Sequence, residues 1–270
     1  MKELVVLFLV IVLFIFTLII VGNSSSEYKW DLAVLCIMKN EEMILEEWFE
    51  HNIWQGVQYF YVIDNGSTDG TKDIVQKYVD KGLASYYYLE GEKRQMEFYN
   101  KIYNEKARAE SRWLAVIDID EFMYNRKKGK TVRDYLNTLD YNEVGGARIH
   151  AKAFGSSGHE KQPNKVRESF LWRQKFVANE TSWDWKTIAN TKETEKIIVH
   201  QHETSKKVVK EPDEIVMNHY QIMSKEYFGN VKMTRGEPSS HPGALIRDWN
   251  YFKNRDHRDE MDDELVKLMN

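Results

Sequence analysis

"LAVIDIDEFM", residues 114–123, opens apolar and then meets Asp118, Asp120 and Glu121. Carboxylates beside Val116 and Ile117 are costly to bury unless something cationic meets them. Left alone, Asp118 and Asp120 would raise one another's pKa. An apolar strand that stops in acids also places them at its carboxyl end, where ligands bind in open α/β sheets.

Outward from this point, strand and helix signals alternate from Asp31 onward, which predicts an α/β domain with a largely parallel sheet. "LAVLCIM" (32–38) reads as a buried strand, with Asn40 capping a helix whose first turn holds Glu41 and Glu42. Leu45, Trp48, Phe49 and Ile53 share one face of that helix, and Gly56 stops it. "VQYFYVI" (57–63) is the second strand, and "DNGSTDGT" (64–71) is a turn-rich loop feeding a helix that ends near Gly82. "ASYYYL" (84–89), a long helix over 94–110 and "WLAVID" (113–118) complete the alternation. The loop at Asp64 and the acids after residue 117 therefore share one edge of the sheet.

Two carboxylates two residues apart can present oxygens to one hard divalent cation, whose other positions nucleotide phosphates fill. A DxD also arises by chance, or as a cap for the next helix. The strand before it and the partner loop upstream favour the metal.

The 270 residues suffice for a sizeable core, and 8 Trp, 15 Tyr and 12 Phe suit a protein that grips flat ligands. A net charge of −4 without a basic stripe argues against nucleic acid as partner. A lone Cys36 excludes an internal disulfide framework. Leu4 to Val21 is apolar throughout except Thr17, long enough to span a membrane. It predicts a cytosolic stub and signal anchor over 1–22 and a short stem over 23–30, with a cleaved signal peptide as the alternative. The folded domain, 31–255, then lies on the lumenal side, of Golgi or ER type in a eukaryote, and a charged tail follows over 256–270. Asn23 and Asn179 open tripeptides that accept N-glycans there.

The segments "KNEEMILEEWFEHNIWQGVQYFYVIDNGSTDGT" (39–71), "QMEFYN" (95–100) and "WLAVIDIDEF" (113–122) together resemble a GT-A glycosyltransferase. The closest likeness is to glycosyltransferase family 92 and related family-2-like proteins. It continues through "FGSSGHEKQPNKVRESF" (154–170), "KTI" (186–188) and "NHYQIMSKEYFGNVKMTRG" (218–236). The resemblance implies sugar transfer from a nucleotide-diphosphate donor to a glycan or glycoprotein acceptor. The donor is a UDP-sugar in preference to a GDP-sugar, with Mn²⁺ as the usual metal and Mg²⁺ as its substitute.

Carried over residue by residue, Asp118 and Asp120 match the metal-binding pair, and His219 resembles the histidine that completes such sites; its alternative is a satisfied core histidine on a strand. Asp64 matches the acid that contacts the nucleoside, while Asn65 stands where a second acid is frequent. Lys39, Asn40 and Glu41 of the KNE segment, with Arg94 and Gln95, fall on the donor side. For Arg94 and Gln95 a helix-face structural role is equally open. Ser224, Lys225 and Lys232 are in position to meet phosphate oxygens or to be solvated helix charges. A base that activates the acceptor is sought among Glu168, then Asp184, then Glu160, each of which also reads as a surface acid. Trp183 and Trp185 flank Asp184 and suit stacking on sugar rings. His200 and His202, two apart on a predicted strand, read as acceptor-site or structural residues rather than a zinc pair. A nucleotidyltransferase is a weaker reading, because "CIMKNEEM" lacks the glycines of a phosphate loop; a non-catalytic glycan-binding protein is the other alternative.

Overall fold

The computed structural model describes residues 27–175, 185–210, 212–235 and 247–270. The apolar run 4–21, the stem residues before Glu27, Asn179 and Asp184 lie outside the described residues. Among the described residues, no helix is long and apolar enough to cross a membrane.

The first half of the chain is a run of βα units. Its strands are β1 (Trp30–Met38), β2 (Tyr59–Asp64), β3 (Ala84–Tyr88) and β4 (Ser111–Val116). Helices Leu45–Trp54, Thr71–Asp80 and Gln95–Ile102 connect them, the last continuing as a π-helical turn, Tyr103–Ala107, into Arg108–Glu110. The second half holds β5 (Glu121–Asn125), β6 (Val144–Ala153), β7 (Trp172–Arg173), β8 (Trp185–Asn190), β9 (Thr194–Lys196), β10 (Glu203–Thr204), β11 (Lys207–Lys210), β12 (Ile215–His219) and β13 (Glu260–Met261).

The main sheet runs β3-β2-β1-β4-β8-β6-β12-β5, with β11 also paired to β6. The strands from β3 to β4 are parallel to one another, whereas β8 is antiparallel to both β4 and β6. β12 then runs parallel to β6 and antiparallel to β5. Parallel strands are covered on both faces, so they are apolar at every position rather than at alternate ones. In β1, Leu32, Val34 and Cys36 pack into the larger core, while Ala33 and Leu35 pack into a second core on the opposite face. Each fully buried leucine or valine here contributes roughly 1.5–3 kcal/mol of transfer free energy.

Register places the chemistry. Met38 pairs with Asp64, and Leu35 pairs with Val116, so the loops after β1, β2 and β4 open on one edge.

Three local expectations change. The first helix begins at Leu45 and Asn40 does not cap it. Asn40 instead sits at φ 56°, where its Oδ1 accepts from Thr68 N at 2.8 Å and its own N–H donates to Ser67 Oγ. Glu42 likewise serves another helix: its Oε2 accepts from Gly70 N at 2.6 Å, the residue before Thr71–Asp80. Ile53 is 38% exposed, and the buried face of Leu45–Trp54 instead carries Glu47 and His51. Gly56 does stop that helix, at φ 91°, where a Cβ would stand 2.8 Å from Arg133 Cβ.

The charges at the C-terminus hold it to the domain. β13 pairs with β7, and Leu265 packs with Tyr124 and Val216. Lys152 Nζ meets Asp262 at 2.9 Å and Glu264 at 2.6 Å, and Arg173 Nε meets Asp262 at 2.6 Å.

Candidate active site

The turn after β4 is held from three sides. Trp48 Nε1, from the first helix, donates to the carbonyls of Asp118 (3.2 Å) and Glu121 (3.0 Å). Tyr220 N, just past β12, donates to the Asp120 carbonyl at 2.8 Å. Glu121 turns its Oε2 back onto Asp118 N at 2.9 Å. Its carboxylate is therefore a brace for the turn. Burial pushes the Glu121 carboxyl up to about 7; Lys186 opposes that shift and Asp118 adds to it.

What the opening acids hold is lysine. Lys186, from β8, lies with Nζ 3.0 Å from Asp118 Oδ2 and 3.4 Å from Glu121 Oε2. Lys232 contacts Asp120 Oδ2, and His219 Nε2 lies 3.6 Å from the same oxygen. The two acids differ in exposure: Asp118 is 37% exposed and Asp120 only 4%. The repulsion expected from the sequence is present at Asp118, but Lys186 outweighs it. Burial pushes both up and Asp120 adds to the push on Asp118, but Lys186 brings Asp118 below the usual range. Lys232 with His219 brings Asp120 well below it. For His219, burial favours the neutral ring, and Asp120 outweighs it to raise the pKa.

A second ion pair lies alongside. Glu41 is 1% exposed and meets Arg235 at 2.7 Å, while Tyr227 Oη donates to Glu41 Oε2 at 2.6 Å. Arg235 also donates to Tyr227 Oη at 3.1 Å. Burial raises the Glu41 carboxyl, with Arg235 and Lys232 holding against it. The KNE segment is thereby tied to residues 227–235, nearly two hundred positions along the chain.

The sequence model of glycosyltransferase family 92 matches residues 34–268. The chain belongs to glycosyltransferase family 92. A family 92 protein of Ricinus communis is 26% identical over 157 residues, covering 53% of this chain and 26% of its own. One of Arabidopsis thaliana is 25% identical over 162 residues, covering 56% and 28%. These matches span about a quarter of the length of the relatives. Among solved structures, S. aureus TarS in complex with UDP-GlcNAc aligns over 60% of this chain and 45% of that chain, at 17% identity and TM-score 0.39. HddC from Yersinia pseudotuberculosis aligns over 75% and 97%, at 11% identity and TM-score 0.39.

In this family 92 chain, the polar residues expected on the donor side are engaged by neighbouring strands and loops of the parallel half. Asp64 is fully buried; its Oδ1 accepts from Ser67 N and its Oδ2 from Tyr86 Oη, both at 2.7 Å. Asn65 Oδ1 accepts from Gly91 N at 2.9 Å. Lys39 is half-buried just past β1. Arg94 is exposed, paired with Glu97 and laid over Phe98, and Gln95 donates to Tyr99 Oη at 3.3 Å. For Arg94 and Gln95 the helix-face role is the one observed.

The acceptor-side candidates scatter. Glu168 is exposed on the short helix Val166–Ser169, which docks on the first helix through Glu47, and no described hydrogen bond or ion pair joins it to the acid cluster. Glu160 pairs with Lys225 on the surface. Ser224 is fully buried as a helix cap, so of Ser224, Lys225 and Lys232 only Lys232 reaches the acids. His200 and His202 are not on a strand. His202 accepts from Ile198 N and donates to the Thr187 carbonyl at 2.8 Å, and burial takes its pKa down to about 4. It is structural. His200 donates to the Trp185 carbonyl at 3.0 Å and lies within electrostatic reach of Lys186 and Asp118.

The residues present suit a metal in one specific sense. Two carboxylates with an imidazole form a donor set of the kind Mn²⁺ takes. Each carboxylate commits Oδ2 to a lysine, and no described hydrogen bond engages either Oδ1. Among the described residues, however, no three His, Cys, Asp or Glu side chains form a metal cage. The remaining ligands would have to come with the donor.

Proposed function

We propose that this family 92 chain has the GT-A fold and transfers a sugar from a nucleotide-diphosphate donor, a UDP-sugar first, to a glycan or glycoprotein acceptor with help from Mn²⁺. The observation that carries this reading is the pair Asp118 and Asp120 just past the carboxyl end of β4, each matched with a buried lysine, with His219 of β12 beside Asp120.

Asp118, Asp120 and His219 would hold the metal, which when bound neutralises charge on the departing diphosphate. The chain's own part is positional. Trp48, Tyr220 and Glu121 fix the acid turn, and Lys186 with Glu121 fixes the rotamer of Asp118. Lys232 and Arg235 place positive charge beside Asp120 and Glu41, suited to developing phosphate charge. Asp64, Asn40 and Asn65 shape the nucleoside loop through backbone bonds. For the base, Asp184 is the acid to test before Glu168, because it precedes Lys186 by only two residues and Lys186 meets Asp118.

The test is turnover of a panel of nucleotide sugars by the full chain, with Mn²⁺ or with EDTA, for wild type and Asp118→Asn. Asp118→Asn is chosen because Lys186 keeps Glu121 as a partner. Turnover that requires Mn²⁺ and is lost in the variant supports the reading. Full turnover in EDTA, or wild-type rates from Asp118→Asn, would sink the metal site. The run 4–21 is proposed as a lumen-directed signal anchor. Retention in the membrane pellet after carbonate, with the C-terminal domain protected from protease, supports it; a shortened soluble product overturns it.

A further inference from the structure

Lys232 sits where a metal ligand's charge is wanted. Its side chain is 7% exposed, and its ammonium contacts Asp120 Oδ2, the oxygen that also faces His219 Nε2 at 3.6 Å. Two cations cannot draw fully on one carboxylate, since they repel each other and divide its charge. Lys232 is also crowded by its own sign. Arg235 and Arg247 both act on it electrostatically, against Asp120 and Glu41. Among the described residues, three cations then face two carboxylates in this corner, a charge balance that a diphosphate suits.

We propose that Lys232 is an exchange cation. It shares Asp120 with a divalent metal, and a nucleoside diphosphate, by drawing the Lys232 ammonium to its own oxygens, releases Asp120 to the metal. This rests on the metal-assisted reading above and adds an order to it. Metal and donor then bind as one coupled event, each tightening the other by the same factor.

The experiment is Mn²⁺ titration of the full chain in detergent, read by the electron paramagnetic resonance of free Mn²⁺, with and without UDP. Wild type is compared with Lys232→Met, which keeps an unbranched side chain but removes the ammonium from Asp120 and from over the Tyr227 ring, and with Lys232→Gln, which keeps a hydrogen-bond donor for buried Asp120. Lys232→Gln carries the test if Lys232→Met does not fold, folding being checked by near-ultraviolet circular dichroism. In wild type, UDP is expected to tighten Mn²⁺ binding by about tenfold, a common size for such coupling. Without UDP, the variants are expected to bind Mn²⁺ about tenfold tighter than wild type, and UDP should tighten them by less than it tightens wild type, the remainder being the ligands the diphosphate itself supplies. Unchanged Mn²⁺ affinity without UDP, or wild-type coupling in the variants, overturns the exchange and leaves the metal site standing. No Mn²⁺ binding by any of the three proteins, with or without UDP, overturns the metal site and the exchange with it.

Discussion

The two halves of the sheet treat their polar residues in opposite ways. In the parallel half, β1 to β4, the polar groups at the loop ends are satisfied close by: Asp64 by Ser67 and Tyr86, Asn40 by Ser67 and Thr68, Asn65 by Gly91. In the mixed half they reach across the molecule. Lys186 travels from β8 to Asp118, Lys232 to Asp120, and Arg235 to Glu41. The parallel half is a scaffold that ends in acids, and the mixed half supplies their counter-charge.

The contrast breaks most visibly where the halves are bolted together. Glu41→Gln leaves Arg235 buried without its carboxylate, and should cost about 3–5 kcal/mol of stability. Denaturant unfolding measures it. If Glu41→Met with Arg235→Met recovers most of that loss, the cost belongs to the unpaired charge; if it does not, the packing of Tyr227 matters more.

Asp118→Asn should do the opposite, sparing the fold and removing function. A metal interaction of several kcal/mol corresponds to a fall in turnover of about 10²–10³-fold. Comparing melting temperature with turnover separates the two effects. A variant that melts early and works well would place Asp118 in the scaffold.

Acid sharpens the comparison further, because each half buries a neutral histidine. His202 has its pKa lowered to about 4 and His51 to about 3, in both cases chiefly by burial. A folded pKa below the unfolded value means the unfolded state binds the proton first. Stability is thus lost as pH falls from about 6.5, with the loss complete only below the folded value. The His202 shift corresponds to about 3 kcal/mol across pH 6.5 to 4. His202→Gln should flatten that part of the stability-against-pH curve, and a slope identical to wild type would show that His202 is not held neutral.

The smallest effect belongs to the scaffold loop. Tyr86→Phe removes one hydrogen bond to Asp64 and should cost about 1 kcal/mol, with UDP affinity unchanged once folded. Asp64→Ala costs more stability. If it also weakens UDP in titration while keeping its fold, Asp64 touches the nucleoside directly.

Much of this was legible in the sequence and some was not. Strands β1 to β4, their intervening helices and the placing of the acids at one edge follow from local patterns: apolar runs, turn residues and glycines at 56 and 82 with positive φ. The swapped caps escaped, since Asn40 and Glu42 look identical in sequence whether they serve the helix after them or the loop 27 to 28 residues on. Lys186 carried a faint signal, a lone charge inside the strand "WKTIAN" that its burial would otherwise penalise.

By itself, then, the sequence determined the parallel half, the family likeness and the existence of buried acids that need a counter-charge. Periodicity and turn chemistry act over a few residues, and the chain states them openly. Only the tertiary structure decided which cations answer those acids. The partners stand 68 residues apart for Asp118 and Lys186 and 112 apart for Asp120 and Lys232. Electrostatic pairing depends on distance in space, and nothing in local sequence encodes which of 38 Lys and Arg residues the mixed half will fold back onto the acids.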